Sequence, residues 1–240
     1  MIASVCLAVW LQFNHFKVHS NAEESIQNVQ DSATFTARDR AARNAEYAIF
    51  AYIGISAIVL VFELLELAGV VNLLSPVYGP LEQIYTVVLI AHTAIFLVSV
   101  VFVCMWIYRA HANLRERGIE METSPGWAVG WFFVPIMNLF KPFQNMRELW
   151  AESHLESDAY GDPAPGDIGA WWACWIVGNI VSYVSVRMSA FDTGEGISVG
   201  VAIGAVGSGL TIACALLLRK IIRDITSAQN TELNVRQVFE

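Results

Sequence analysis

The sequence predicts an all-α membrane protein with four transmembrane helices and a proline-broken helical hairpin, re-entrant or interfacial, on the cytoplasmic side. Three observations carry this expectation. Four apolar runs, at 45–68, 84–108, 169–190 and 197–218, are each roughly 22 to 25 residues long, enough to cross about 30 Å of hydrocarbon as a helix. The 240 residues are 55% hydrophobic and only 15% charged, with a mean hydropathy of +0.49; a soluble domain has about a quarter of its residues charged. Between the second and third runs lies TSPGWAVGWFFVPIMNLFKPFQNMRELW at 123–150, too apolar for a soluble loop yet broken by prolines and a lysine.

The elements follow in order. Residues 1–44 combine an apolar stretch of 1–16, with no basic leader region or cleavage site, and a polar, partly helical segment that ends in Arg38, Arg40 and Arg43. Within 1–16 the chain lies in the interface or makes a short extra span. The integral membrane domain covers 45–223, and 224–240 is a polar C-terminal tail. Helices are expected for the four runs because backbone in lipid must satisfy its own hydrogen bonds, and none of the runs shows the alternation of a barrel strand.

Basic residues set the orientation. Arg38, Arg40 and Arg43 precede the first span, Arg109, Arg115 and Arg117 follow the second, and Arg219, Lys220 and Arg223 follow the last. The connectors 69–83 and 191–196 contain no Lys or Arg. The positive-inside rule therefore puts all three clusters, and both termini, in the cytoplasm. That assignment requires the segment 124–152 to return to the side it entered. Ser124 is placed to cap a helix that Pro125 begins, Pro135 to end it, and Pro142 to begin a second. In that second helix Phe143, Met146, Leu149 and Trp150 recur at helical spacing, with Arg147, Glu148 and Glu152 on the wet side.

The residues RAHANLR at 109–115, SPGWAVGWFFVP at 124–135 and NLFKPFQNMRELW at 138–150 resemble domain-of-unknown-function family 4328, uncharacterised bacterial multi-pass membrane proteins. The resemblance is specific over 96–153, about a quarter of the chain. It implies a bacterial inner-membrane protein with this central motif, and it implies no activity.

Two polar groupings stand out. Glu63, Glu66, His92 and Arg187 are ionisable residues within apolar runs, where each costs about 2.5–3.5 kcal/mol to insert. Counted from the outer helix ends at about 1.5 Å per residue, their depths agree within about 10 Å. They form either a proton relay or ion site, or a set in which Arg187 and the glutamates snorkel to the interface or make one structural pair. On the cytoplasmic side, Arg109 and Asn113 share one helix face, and His111 and Arg115 another. With Asn138, Lys141, Gln144 and Glu148 they outline either a pocket for an anionic headgroup or phosphate, or a structural hydrogen-bond set.

Gly196, Gly200, Gly204 and Ser208 stand at every fourth position of the last run. Such a face lets backbones approach closely, either to the run before it, through Gly178, Ser182 and Ser189, or to a second subunit or protein partner. Trp127, Trp131, Trp150, Trp171, Trp172 and Trp175 read as a belt at the cytoplasmic interface. Cys6, Cys104, Cys174 and Cys214 lack CxxC or Cys/His pair spacing and read as packing residues, with no metal and no cofactor indicated. His92 has no second histidine at matching depth in another span to make a haem or metal pair. The net charge of −8 and the lack of a basic stripe exclude nucleic acid as a partner, leaving membrane lipid.

The expected function is a non-enzymatic binding, scaffold or accessory role. The alternatives are a small-solute or ion transporter or channel, and an enzyme acting on lipid, for which only His111 and Glu148 offer an acid/base pair.

Overall fold

The computed structural model describes residues 39–71, 79–154, 165–189 and 199–239, with 231–239 as backbone only. The stretch 1–16, Cys6, Gly196 and most of both polar connectors lie outside the described residues. The chain divides after Arg40, and Ala41–Glu240 forms one compact unit.

Every regular element among the described residues is helical: α1 (Asp39–Leu67), α2 (Pro80–Glu116), α3 (Pro125–Gly130), α4 (Lys141–Ser153), α5 (Gly166–Ser189) and α6 (Val199–Phe239). Two short 3₁₀ turns, Trp131–Phe133 and Met137–Leu139, join α3 to α4. Four of the helices, α1, α2, α5 and α6, are long and apolar enough to cross a membrane.

These helices outrun the apolar runs of the sequence. α1 starts before residue 45, within the stretch read as an N-terminal polar segment, and α2 continues to Glu116, past the expected end near 108. α6 continues through the polar tail, because no Gly or Pro follows Gly209 to interrupt it. What stops α1 and α2 is glycine. Gly69 (φ +73°) and Gly118 (φ +80°) take the left-handed conformation that a Cβ disfavours. The next N–H then reaches back five residues, Val70 to Leu65 O at 2.9 Å and Ile119 to Leu114 O at 3.1 Å, closing orphan carbonyls at each helix end.

α5 and α6 pack closely along a seam of small residues. A Cβ on Gly200 would meet Ser189 Oγ and lie 2.7 Å from Ser189 N, and one on Gly207 would lie 3.1 Å from Ser182 Oγ. Gly178 faces Leu210 in return. The seam therefore runs Gly200, Gly204, Gly207, and it is filled within the chain by Ser182, Ser185 and Ser189. Ser185 Oγ donates to Gly200 O at 2.7 Å, a hydrogen bond that needs this close approach.

The core concentrates at one end of the bundle. Trp106, Leu114, Leu149, Ile168, Ile221, Ile222 and Ile225 are fully buried there. Ion pairs tie that end together: Glu46 of α1 with Arg219 at 3.4 Å and Arg223 at 3.1 Å, and Lys220 of α6 with Asp167 of α5 at 2.6 Å. Trp106 Nε1 donates to Thr226 Oγ1 at 3.1 Å. The start of α1, the C-terminal part of α2, the start of α5 and residues 219–229 of α6 thus share one end, and α3 and α4 pack against it.

The Trp set divides. Trp150, Trp171 and Trp172 are buried in this core rather than standing in a belt, and Trp172 Nε1 donates to Leu139 O at 3.1 Å. Trp127 is exposed, with its ring stacked on Trp131 at 4.6 Å.

Gly200→Ala is expected to lower stability by about 1–3 kcal/mol, since its methyl meets backbone as well as a side chain. Gly209, with nothing within 4 Å, is the control: Gly209→Ala should leave stability unchanged or raise it by at most about 1 kcal/mol. Thermal denaturation in detergent micelles compares the two.

Candidate functional site

The residues of the central motif are distributed by helix periodicity. On α2, Trp106, Ala110, Asn113 and Arg117 turn toward α6, while Ile107, His111 and Leu114 occupy the neighbouring buried stripe. On α4 the buried stripe is Pro142, Asn145, Met146, Leu149, Trp150 and Ser153. Polar residues occur in both stripes, and in lipid-covered or dry protein such groups must find partners.

Gln229 of α6, 0% exposed, is where they converge. Its Oε1 accepts from Asn113 Nδ2 at 3.0 Å. Its Nε2 donates to Ser153 Oγ at 2.8 Å and to Ala110 O at 3.4 Å. Its backbone carbonyl accepts from Arg117 Nη2 at 2.7 Å. One residue thereby joins α2, α4 and α6.

A second lock closes the loop before α3. Thr123 Oγ1 donates to Asn145 Oδ1 at 3.0 Å, and the Glu122 N–H donates to Glu148 Oε1. Burial pushes the Glu148 carboxyl above the usual glutamate range. The Glu122 N–H holds it down, the Glu122 charge raises it, the Thr123 N–H lowers it and Glu152 raises it. Ser124 caps α3, accepting from Trp127 N at 3.4 Å, and Pro125 fills the first turn. α3 ends at Gly130, well before Pro135. Val134 is already extended (φ −95°, ψ 111°), the conformation favoured for a residue preceding a proline.

The eight residues expected to outline a cytoplasmic pocket differ in exposure and in partners. Arg109 and Gln144 are exposed. His111 is 1% exposed, its Nδ1 is 2.9 Å from Ile107 O, and its Nε2 has no hydrogen-bond partner among the described residues. Asn113 is committed to Gln229, Arg115 Nη2 reaches Met121 O at 3.4 Å, and Lys141 is half-buried at the start of α4. Asn138 sits on the second 3₁₀ turn with a buried Oδ1 that has no partner among the described residues. Glu148, read as standing on the wet side, instead faces the 122–123 backbone.

Within the intramembrane set, His92 lies away from the two carboxylates. His92 of α2 shares a hydrogen bond with Ser56 Oγ of α1 at 3.1 Å, with the Tyr52 ring 5.1 Å away. Ser56 is seven positions before Glu63, about 10 Å along the helix, so His92 is not at the carboxylates. Arg187 is exposed in the last turn of α5. Glu63 sits instead against α6, where its Oε1 would lie 3.1 Å from a Cβ on Gly204, and it hydrogen-bonds with Ser208. Ser208 therefore serves α1, and Gly207 takes the place in the α5 seam that the four-residue spacing gives to Ser208. Glu63 and Glu66 both lie near Tyr85 of α2.

Gln229, Ser153, Asn145 and Thr226 carry the site and were not singled out from the sequence. The legible signal was a polar residue in an apolar stripe: Ile222, Ile225 and Gln229 recur at helical spacing, as do Asn145, Leu149 and Ser153.

Replacing Gln229 with Leu should cost at least about 2 kcal/mol, because Asn113 and Ser153 lose buried partners. Gln144→Ala should stay within about 0.5 kcal/mol. Thermal denaturation in micelles separates them. Since the folded state holds Glu148 above its unfolded pKa, it binds the extra proton. The Glu148 contribution to stability is present below the ordinary glutamate range and is lost as pH rises through the elevated value. Glu148→Gln should flatten that part of the stability–pH curve, measured by chemical denaturation across the acidic range.

No curated protein and no solved structure matches this chain. A family model described as Domain of unknown function (DUF4328) matches residues 81–227, more than half of the chain and well beyond the central motif, from the first turn of α2 into α6. The chain belongs to this family.

Proposed function

We propose that this is a multi-pass plasma-membrane protein of non-enzymatic type, in which the segment from α3 to α4 dips into one leaflet as an apolar hairpin and returns to the side it left. That side is the one carrying the three basic clusters, and by the same charge rule both termini are cytoplasmic. The resemblance of the motif points to a bacterial inner membrane.

The observation that carries this reading is the tip of the hairpin. Trp127, Phe133, Ile136, Met137, Leu139 and Phe140 are 55%, 69%, 71%, 40%, 48% and 58% exposed within one short stretch of chain. In water each such side chain forfeits a share of the about 1.5–3 kcal/mol that full burial yields. A patch of this kind marks a surface made for lipid or a partner. It is continuous in sequence with helices whose apolar faces require lipid, so lipid is the simplest cover. The polar residues flanking the tip supply its anchors: Asn113, Ser153 and Gln229 on one side, Thr123, Asn145 and Glu148 on the other.

The same commitments support a scaffold or binding role over lipid chemistry. An acid/base pair would have to come from His111 and Glu148. His111 lies in the core against Ile107 O, and Glu148 holds the loop before α3. The alternative of a small-cation transporter rests on Glu63 and its surroundings.

Spin labels at Phe133→Cys and Ile136→Cys are expected to be accessible to oxygen and shielded from a water-soluble relaxation agent in proteoliposomes. A tag inserted within 155–164 should be reached from the same side of the membrane as one following Gly118. A tag in 155–164 accessible only from the opposite side would refute the returning hairpin.

A further inference from the structure

At the end of the bundle opposite the Gln229 node, Glu63 lies about one turn inside the end of α1. Its carboxyl lies against α6, with α5 across the Gly204 notch and Tyr85 of α2 in the neighbourhood. Tyr85 comes from α2, Ser185 from α5, and Gly204 and Ser208 from α6. The missing side chain of Gly204 makes the room: a Cβ there would stand 2.9 Å from Ser185 Oγ and 3.1 Å from Glu63 Oε1. Glu63 Oε2 is buried and has no hydrogen-bond partner among the described residues.

A carboxylate oxygen left bare in a dry, lipid-covered position is far too costly to stay charged and uncompensated. Among the described residues, the Ser208 hydroxyl bonds the carboxyl, the Ser185 hydroxyl borders the Gly204 notch, and the Tyr85 phenol lies nearby. Arg187 stands two residues beyond Ser185, about 200° round α5, and is exposed. Glu66, one turn along α1, also lies near Tyr85. An oxygen-lined niche with one charged ligand suits a small hard monovalent cation and is unsuited to a soft or bulky one.

From this geometry we infer that Glu63 is an intramembrane binding site for one small monovalent cation, a proton or a sodium ion, seated against the Gly204 notch between α1, α2, α5 and α6. The site is separate from the hairpin and does not depend on how that segment meets lipid. The bare Oε2 is the atom that receives the cation, and the Ser208 hydroxyl positions the carboxyl by its hydrogen bond.

An apolar carbodiimide tests this directly. A protonated carboxyl adds across its C=N bond, with the proton passing to nitrogen and the oxygen to the central carbon; acyl transfer to nitrogen then fixes a stable acylurea that peptide mass spectrometry locates. Purified full-length protein in liposomes is expected to be modified at Glu63, and Glu63→Gln protein with an unchanged thermal profile is expected to lose that adduct. For a proton site, labelling falls about tenfold per pH unit above the midpoint and ignores sodium. For a sodium site, sodium but not potassium at equal ionic strength protects Glu63. Absence of a Glu63 adduct at every pH, or labelling that responds to neither pH nor sodium as a purely structural acid would, overturns the inference.

Discussion

An amide buried inside a membrane-length helix has no water to fall back on, and Gln229 shows what that constraint produces. Its side-chain nitrogen, its side-chain oxygen and its backbone carbonyl are all engaged, with partners on α2 and α4 and at the end of α2. Asn113 and Ser153 would lose a buried partner if the amide moved. The relative placement of α2, α4 and α6 is therefore fixed by satisfiability as much as by apolar packing. Hydrophobic contact alone tolerates small slides of one helix along another; a buried amide with every group engaged does not.

That node depends in turn on how α6 is held along its length. Glycine at 200, 204 and 207 brings α6 onto the serines of α5, close enough for Ser185 to bond a backbone carbonyl. The Glu46–Arg219–Arg223 group and the Lys220–Asp167 pair then fix the angular setting of α6 near the far end. These ion pairs are partly or largely open to solvent, so their value lies in orientation more than in stability. The same glycine face that permits close approach also opens the niche into which Glu63 fits. One compositional device, small residues on one side of α6, thus serves two neighbours, with α5 on the Gly200–Gly207 side and α1 at Gly204 and Ser208.

The two ends of the molecule have different chemistry. At the α3–α4 end, polar side chains are consumed in holding a strongly apolar segment against the bundle, and that segment presents mainly apolar side chains at its exposed tip. At the other end the Glu63 carboxyl keeps a bare oxygen. The family to which the chain belongs is described as a domain of unknown function.

Much of this was legible in the residues themselves. Run length and charge scarcity give four membrane-length helices; Ser124 with Pro125, and Pro142 within the first turn of α4, place two helix starts. The Gly/Ser periodicity gives a close-packing face. Each of these is a local property, set by backbone sterics, capping or the cost of charge in lipid. Which face meets which neighbour is not local. Read alone, the residues allowed Gly200 and Gly204 to face another subunit as well as α5, placed Glu148 on a wet side, and grouped His92 with Glu63 by depth alone. Only the tertiary structure turned Glu148 to the 122–123 backbone, gave His92 to Ser56, and gathered Asn113, Ser153 and Gln229 from three separate helices. Depth and periodicity fix a residue along and around its own helix, whereas its partner depends on the rotation of the neighbouring helices, and that rotation is chosen by the whole set of buried groups at once.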